Sequence, residues 1–264
     1  MAYFQSFNDW FDFIKYTKET NRFFLTARWH TFIEDVVATA QKRITFLTSN
    51  AGLFRARDEA IEKLIEKGDI IYPEYFPLEL NDMKAPLPKK AKEGRFNPTG
   101  VSYLYLASDP ETAIAECRPY KSSTLTVARF ELFRSPKLID TRKDSENIAE
   151  LVKSGPYSSD ETREKLVWGS IDWSFSRPIL PREASVNYVA TQRIAEVFKN
   201  NDFDGVLYRS SLANSGYNVV LFDPEIAAPK SRELYKVENI EYKSRKVDVL
   251  PTPEKIRFIE KAAT

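Results

Sequence analysis

The segment GRFNPTGVSYLYLASDPETAIAEC, residues 94–117, carries the densest set of structural signals in the chain. Two of the eight glycines, Gly94 and Gly100, flank an Arg-Phe-Asn-Pro-Thr sequence, and glycine permits close backbone approaches that side chains block. The aromatic and apolar residues that follow predict a strand over 101–107. Asp109 followed by proline predicts the start of a helix. We expect this loop, strand and helix to form one wall of a pocket.

The loop and the strand contain side chains that suit ligand binding. Arg95 offers five donors in a planar fork that matches a phosphate or a carboxylate. Tyr103 and Tyr105 share one face of the strand, because side chains alternate between the two faces. This wall therefore combines a cation with aromatic rings.

The helix after the strand carries one carboxylate in an unusual position. Ala113, Glu116 and Cys117 follow the i, i+3, i+4 spacing of one helix face, so Glu116 borders the inward apolar side. A carboxylate there is costly unless it is paired or used. Two explanations stay open at this point: an ion pair with Arg55 or Arg95, or a functional carboxylate in a pocket.

The rest of the chain predicts an α+β fold with a mixed β core preceded by helices. We expect the chain to consist of an N-terminal helical extension (1–50), a main domain (51–226) and a C-terminal extension (227–264). The C-terminal extension is expected to be peripheral. Helices are predicted at 8–16, 26–47 and 185–200, and strands at 53–57, 124–132 and near Leu138. VLYRSS and YNVVLF predict a hairpin, and the four prolines of 72–92 favour an irregular loop.

Composition narrows the range of possible partners and cellular locations. The formal net charge of +1 gives no global field that would recruit nucleic acid or an anionic membrane, so a nucleic-acid partner is not expected. No apolar run approaches the ~20 residues of a membrane helix, and the N-terminal residues lack the pattern of a signal peptide. With a single cysteine the sequence cannot form an intrachain disulfide, and we expect a cytoplasmic location.

The scarcity of histidine and cysteine excludes several chemistries. His30 and Cys117 are the sole residues of their types, so a zinc site of the Cys/His kind cannot be assembled, and we expect no metal. A Ser-His-Asp triad would have to use His30, whose aromatic and apolar surroundings favour a structural role. No GxGxxG or Walker sequence occurs, so phosphate binding would need other residues.

Two further stretches contain arginine in or beside a predicted strand, LFRAR at 53–57 and LYRSSLANSGYN at 207–218. Together with residues 94–117, and in this order, they resemble the RES domain, which is named for its Arg, Glu and Ser. The resemblance spans roughly 52–224. Its most specific part is G-R-[FW]-N, a glycine soon after, a Y-L-A strand and A-x-x-E on a capped helix.

The resemblance implies a fold like that of ADP-ribosyltransferases and a toxin that degrades NAD+, cleaving the nicotinamide–ribose bond with water or phosphate as acceptor. NAD+ would be a substrate, with no cofactor needed. By motif match the catalytic residues are Arg55, Glu116 and Ser210. The implied NAD+ contacts are Arg55, Arg95, Phe96, Asn97, Tyr105 and Ser210.

The resemblance also implies a partner, since toxic members are commonly restrained by an antitoxin with a helix-turn-helix domain. Self-association into a homo-oligomer is compatible with the sequence. Transfer of ADP-ribose to a protein or nucleic acid is the alternative reaction. A nucleotide-sensing or partner-binding module without turnover is the non-enzymatic alternative.

Overall fold

The computed structural model describes residues 3–143, 159–179, 184–213, 215–241, 244 and 246. Its α-helices are α1 (Asp9–Glu19), α2 (Ala27–Ala40), α3 (Pro110–Cys117), α4 (Asp160–Ser176), α5 (Ala184–Asn187) and α6 (Val189–Asn200). Its strands are β1 (Ile44–Phe46), β2 (Leu53–Arg57), β3 (Ile61–Lys67), β4 (Ile70–Phe76), β5 (Leu104–Ala107), β6 (Thr124–Leu132), β7 (Lys137–Asp140), β8 (Gly205–Arg209), β9 (Tyr217–Leu221) and β10 (Ala227–Lys236).

One eight-stranded sheet organises the molecule, with the strand order β1-β7-β8-β9-β5-β2-β6-β10. Strands β7 and β8 are parallel, and the other neighbours are antiparallel, so the sheet is mixed. The hairpin of β8 and β9 has the predicted pairing, with Tyr208 opposite Asn218. The α+β class predicted from the sequence is confirmed.

The N-terminal helices pack into the main core. Trp10 and Phe13 of α1 and Val36 of α2 are fully buried, in one apolar cluster with Trp168 of α4 and Ile194 of α6. Burying an aromatic side chain of this kind stabilises the fold by about 1.5–3 kcal/mol. The predicted N-terminal extension therefore supplies part of the core that covers one face of the sheet.

Four local expectations differ from the structure. The helix predicted at 26–47 ends at Ala40, and residues 44–46 form β1 instead. Residues 72–76, expected within an irregular loop, belong to β4, and Pro73 is tolerated because both strands of a two-stranded ribbon are edge strands. The strand predicted at 101–107 begins only at Leu104. The chain after Pro224, expected to be peripheral, continues as β10, which pairs with β6 along its length.

Helix α4 has no counterpart in the sequence analysis. It buries residues around most of its circumference, so no amphipathic stripe marks it. The buried residues include Leu166, Val167, Trp168, Ile171 and Phe175. None of the described helices has the length and apolar character needed to cross a membrane.

Candidate functional site

A cavity of about 290 Å³ lies between helix α3 and the strands β2, β5, β8 and β9. Its lining combines aromatic rings, small residues and four polar or charged side chains. The lining residues are Phe54, Arg55, Ala56, Tyr105, Leu106, Ala107, Ala113, Glu116, Cys117, Tyr208 and Asn218. The volume is at the lower end of the ~300–1,000 Å³ typical of small-molecule sites.

The inward face of helix α3 lines this cavity. The Asp109 side chain caps the helix by accepting a hydrogen bond from the Thr112 amide at 2.7 Å. Ala113, Glu116 and Cys117 all line the cavity, as their spacing predicted. The position of Glu116 thus follows from a local cap and the helix period.

Glu116 is held by two neutral donors. Its Oε1 accepts hydrogen bonds from Ser210 Oγ at 2.8 Å and from Asn218 Nδ2 at 2.7 Å. No lysine or arginine forms an ion pair with Glu116 among the residues that the structure describes. The ion-pair explanation, with Arg55 or Arg95, is therefore wrong for this geometry.

Ser210 lies just after β8 and its hydroxyl is fully engaged. It donates its one proton to Glu116 and accepts from the backbone amides of Leu212 and Ala213, both at 3.2 Å. A hydroxyl that donates to a carboxylate in this way supports the orientation of that carboxylate. Ser210 itself does not line the cavity in this arrangement.

Asn218 was missed by the sequence analysis, although it lines the cavity. It lies on β9, is 4% exposed, and is flanked in the strand by apolar residues. A single amide within an apolar strand was the available signal, because buried polar groups need partners. The partner, Glu116, is 102 positions away in the chain.

Arg55 lines the cavity from β2. Its Nη1 donates to the Tyr105 carbonyl at 3.3 Å, whereas its Nε is buried and has no hydrogen-bond partner among the described residues. Burial, with a smaller contribution from Arg57, lowers the pKa of Arg55 to about 10. The guanidinium therefore remains charged at neutral pH and keeps donors available for an anion.

Arg95 is not brought into the cavity. Its Nη1 donates to the carbonyl oxygens of Ser174 at 3.0 Å and Arg177 at 2.8 Å, at the C-terminal end of α4. A cation satisfying the last carbonyls of a helix is a common C-terminal arrangement. In this structure Arg95 therefore makes a structural contact, and it is not among the residues that line the cavity.

Phe96 and Asn97 also serve the scaffold rather than the cavity lining. Phe96 is fully buried and stacks on Phe175, with ring centroids 4.6 Å apart. Asn97 donates to carbonyl oxygens of its own loop, and its Oδ1 accepts from the Tyr105 hydroxyl at 2.6 Å. A Cβ on Gly94 would lie 2.5 Å from that Asn97 oxygen, so glycine is required there.

Two tyrosines form the aromatic wall. The Tyr105 hydroxyl accepts from the Phe96 amide at 3.1 Å and donates to Asn97, which fixes the ring against the cavity. Tyr208 is 7% exposed, packs on Phe96 and has no hydrogen-bond partner for its hydroxyl among the described residues. Burial raises the pKa of both tyrosines, so both stay protonated.

Two further residues that could bear chemistry are unsuited to it. Burial and the nearby Asp58 raise the pKa of Cys117 to about 11, so this cavity residue remains a thiol. His30 is exposed on α2 and does not line the cavity. Within the described ranges, no three His, Cys, Asp or Glu side chains gather as a metal site would need.

The fold and the cavity define a class: an α+β domain with a mixed sheet and a small polar pocket built from an arginine, a glutamate and neutral hydrogen-bond donors. The RES domain family model matches residues 76–242, more than half of the chain, and the protein belongs to this family. Glu116, Ser210 and Asn218 lie within the match. Arg55 precedes it, and its place in the site rests on the cavity geometry.

The chain is also similar to a solved structure described as the crystal structure of the M. tuberculosis MbcT-MbcA toxin-antitoxin complex. The sequence identity is 10%, the similarity covers 76% of this chain and 91% of that chain, and the TM-score is 0.39. No curated protein matches the chain.

Proposed function

We propose that this protein degrades NAD+ by breaking the bond between nicotinamide and ribose. The observation that carries the proposal is the Glu116 carboxylate, oriented by neutral donors in a cavity that the Arg55 guanidinium also lines. A charged carboxylate and a separate cation suit a substrate that has a cationic ring at one end and phosphates at the other. Membership of the RES family supports the same reaction.

The chemistry is compatible with a site that has one carboxylate and no histidine. The electron pair of the C1′–N bond leaves with the pyridinium nitrogen, which becomes neutral, so the leaving group needs no proton. Ordinary glycosidases use two carboxylates because their leaving oxygen must be protonated. The acceptor, water or phosphate, forms the new bond to C1′, and water releases its proton to solvent.

The described side chains have different roles in the cleavage of NAD+. Glu116 stabilises the positive charge that develops on the ribose, an effect worth on the order of 10²–10³ in rate. Arg55 binds the phosphate groups through its free donors. The rings of Tyr105 and Tyr208 bound the space for the nicotinamide and its ribose.

Transfer of ADP-ribose to a macromolecule would use the same cavity and differs only in the acceptor. Purified protein incubated with NAD+, with and without phosphate, distinguishes the reactions when products are weighed by mass spectrometry. We expect free nicotinamide with either ADP-ribose or its 1″-phosphate. Nicotinamide release only when a protein or nucleic acid is added would favour transfer, and intact NAD+ throughout would reject the proposal.

We extend the proposal to the biology that the family resemblance implies. The protein would be a cytoplasmic toxin whose activity drains NAD+ and whose partner is an antitoxin. Induced expression is expected to stop growth as the cellular NAD+ pool falls, and the Glu116→Gln variant is expected to do neither. Growth arrest at a constant NAD+ level would contradict this extension.

A further inference from the structure

Asn218 is a buried amide whose one described side-chain hydrogen bond goes to the proposed catalytic carboxylate. Its Nδ2 lies 2.7 Å from Glu116 Oε1. Its neighbours in the strand register are Tyr208 on β8 and Ala107 on β5, both of which line the same cavity. A buried amide in a strand is stable only when its polar atoms have partners. The contact with Glu116 supplies that partner.

The backbone around Asn218 is built to bring β9 close to helix α3. The amide of Ser108 donates to the Tyr217 carbonyl at 2.9 Å, and the Tyr217 amide donates to Ser108 Oγ at 3.1 Å. A Cβ on Gly216, the residue before β9, would lie 1.7 Å from Thr112 Oγ1, so the start of the strand approaches the helix this closely because residue 216 is glycine.

The two elements meet through successive contacts. Thr112 and Glu116 are i and i+4 on one helix face. Gly216 immediately precedes β9, two positions before Asn218. The Thr112–Gly216 contact is therefore followed, one helix turn along, by the Glu116–Asn218 hydrogen bond. These two contacts, one helix turn apart, fix the position of the Glu116 carboxylate relative to the sheet.

We infer that Asn218 is a positioning residue, which together with Ser210 occupies Oε1 of Glu116 and leaves Oε2 to face the substrate ribose. No described residue forms a hydrogen bond with Oε2. Both donors are neutral, so they orient the carboxylate without pairing its charge, whereas a lysine or arginine at residue 218 would neutralise it. The inference rests on the proposed function, because it assigns the oriented oxygen to that reaction.

A double-mutant cycle tests this role. Asn218→Ala is expected to lower kcat for NAD+ about tenfold, the loss equivalent to one net hydrogen bond, while the Kd for NAD+ stays within about threefold of wild type. In a Glu116→Gln background the same substitution is expected to change kcat by less than about twofold, because the orientation then serves no charge. Asn218→Ser, which keeps a shorter donor, serves if the alanine variant does not fold.

Thr39→Val is the matched stability control, because Thr39 is a buried partner of Trp168 Nε1 and does not line the cavity. It is expected to lower Tm and to leave kcat per folded molecule unchanged. An unchanged kcat for Asn218→Ala, an equal fall in both backgrounds, or a loss confined to Kd would each overturn the inference. Wild-type protein that leaves NAD+ intact would instead reject the proposed function, and the inference with it.

Discussion

Ser210 Oγ lies 2.8 Å from Glu116 Oε1, although the two residues are 94 positions apart in the chain. Ser210 follows β8 and Glu116 lies in the last turn of α3, so their contact depends on the sheet order that places β8, β9 and β5 side by side. The hydroxyl donates a hydrogen bond to Glu116, the carboxylate that the proposed reaction uses to stabilise the ribose cation. Ser210 is therefore placed to orient Glu116 rather than to attack the substrate.

The first prediction concerns the charge of Glu116. Glu116→Gln keeps an oxygen that can accept from Ser210 and Asn218, so folding and NAD+ affinity are expected to be preserved. Turnover is expected to fall by about two to three orders of magnitude, because the charge opposite the developing ribose cation is lost. Tm, Kd and kcat measured on one sample check this, and near-wild-type kcat would remove Glu116 from the mechanism.

Arg55 is predicted to contribute to NAD+ affinity. Arg55→Lys keeps the charge but loses the planar fork, and Arg55→Ala loses both, so Kd should rise stepwise, by about ten- to hundredfold for alanine. Isothermal titration calorimetry measures the Kd for NAD+, with each Arg55 substitution made in the Glu116→Gln variant so that little NAD+ is consumed during the titration. Arg57→Lys is the control, since Arg57 does not line the cavity. Equal losses at both positions would contradict a specific contact.

Cys117 is predicted to be unreactive and dispensable. Its pKa is raised to about 11, so it stays protonated at neutral pH and its thiolate fraction increases as pH rises towards that value. Alkylation by iodoacetamide at pH 8 should be slower by a factor of roughly two hundred than for an ordinary cysteine of pKa about 8.5, and it should accelerate up to pH 10. Cys117→Ser should keep NAD+ turnover. If Cys117 were alkylated rapidly at pH 7 and NAD+ prevented the reaction, Cys117 would be a reactive thiol at the binding site and the prediction would be wrong.

Arg95 is predicted to stabilise the fold rather than to bind phosphate. Arg95→Ala leaves the carbonyl oxygens of Ser174 and Arg177 without this donor, at a cost of about 1–3 kcal/mol in the free energy of unfolding. Kd for NAD+ should not change. Arg193→Ala removes a similar pair of carbonyl contacts away from the cavity and is the control. A large rise in Kd with Arg95→Ala alone would restore the phosphate role.

The N-terminal helices are predicted to be indispensable for folding. Trp10 is fully buried and donates to Ser174 Oγ at 2.8 Å, so Trp10→Ala should lower the free energy of unfolding by about 3–5 kcal/mol. Phe24→Ala, at a side chain that is 83% exposed, should change it by less than about 0.5 kcal/mol. Urea unfolding measures both. Equal stability of the two variants would mean that the N-terminal segment packs loosely on the core.

The local features of the site could be predicted from the sequence. The Asp109 cap, the face shared by Ala113, Glu116 and Cys117, and the Tyr105 strand all depend on residues within a few positions of one another. Helix and strand periods are set by the backbone, so they decide which side chains share a face. The family resemblance also rested on these short patterns.

The tertiary structure decided which residues form hydrogen bonds with these side chains. Asn218 meets Glu116, and Arg95 meets the end of α4, because sheet order and helix packing bring distant segments together. Helix α4 lacked a signal since it is buried on most sides. Local periodicity determines the direction of a side chain from its own element. Which atom satisfies a buried amide or guanidinium depends on the neighbour that long-range packing supplies, and this cannot be deduced from spacing along the chain.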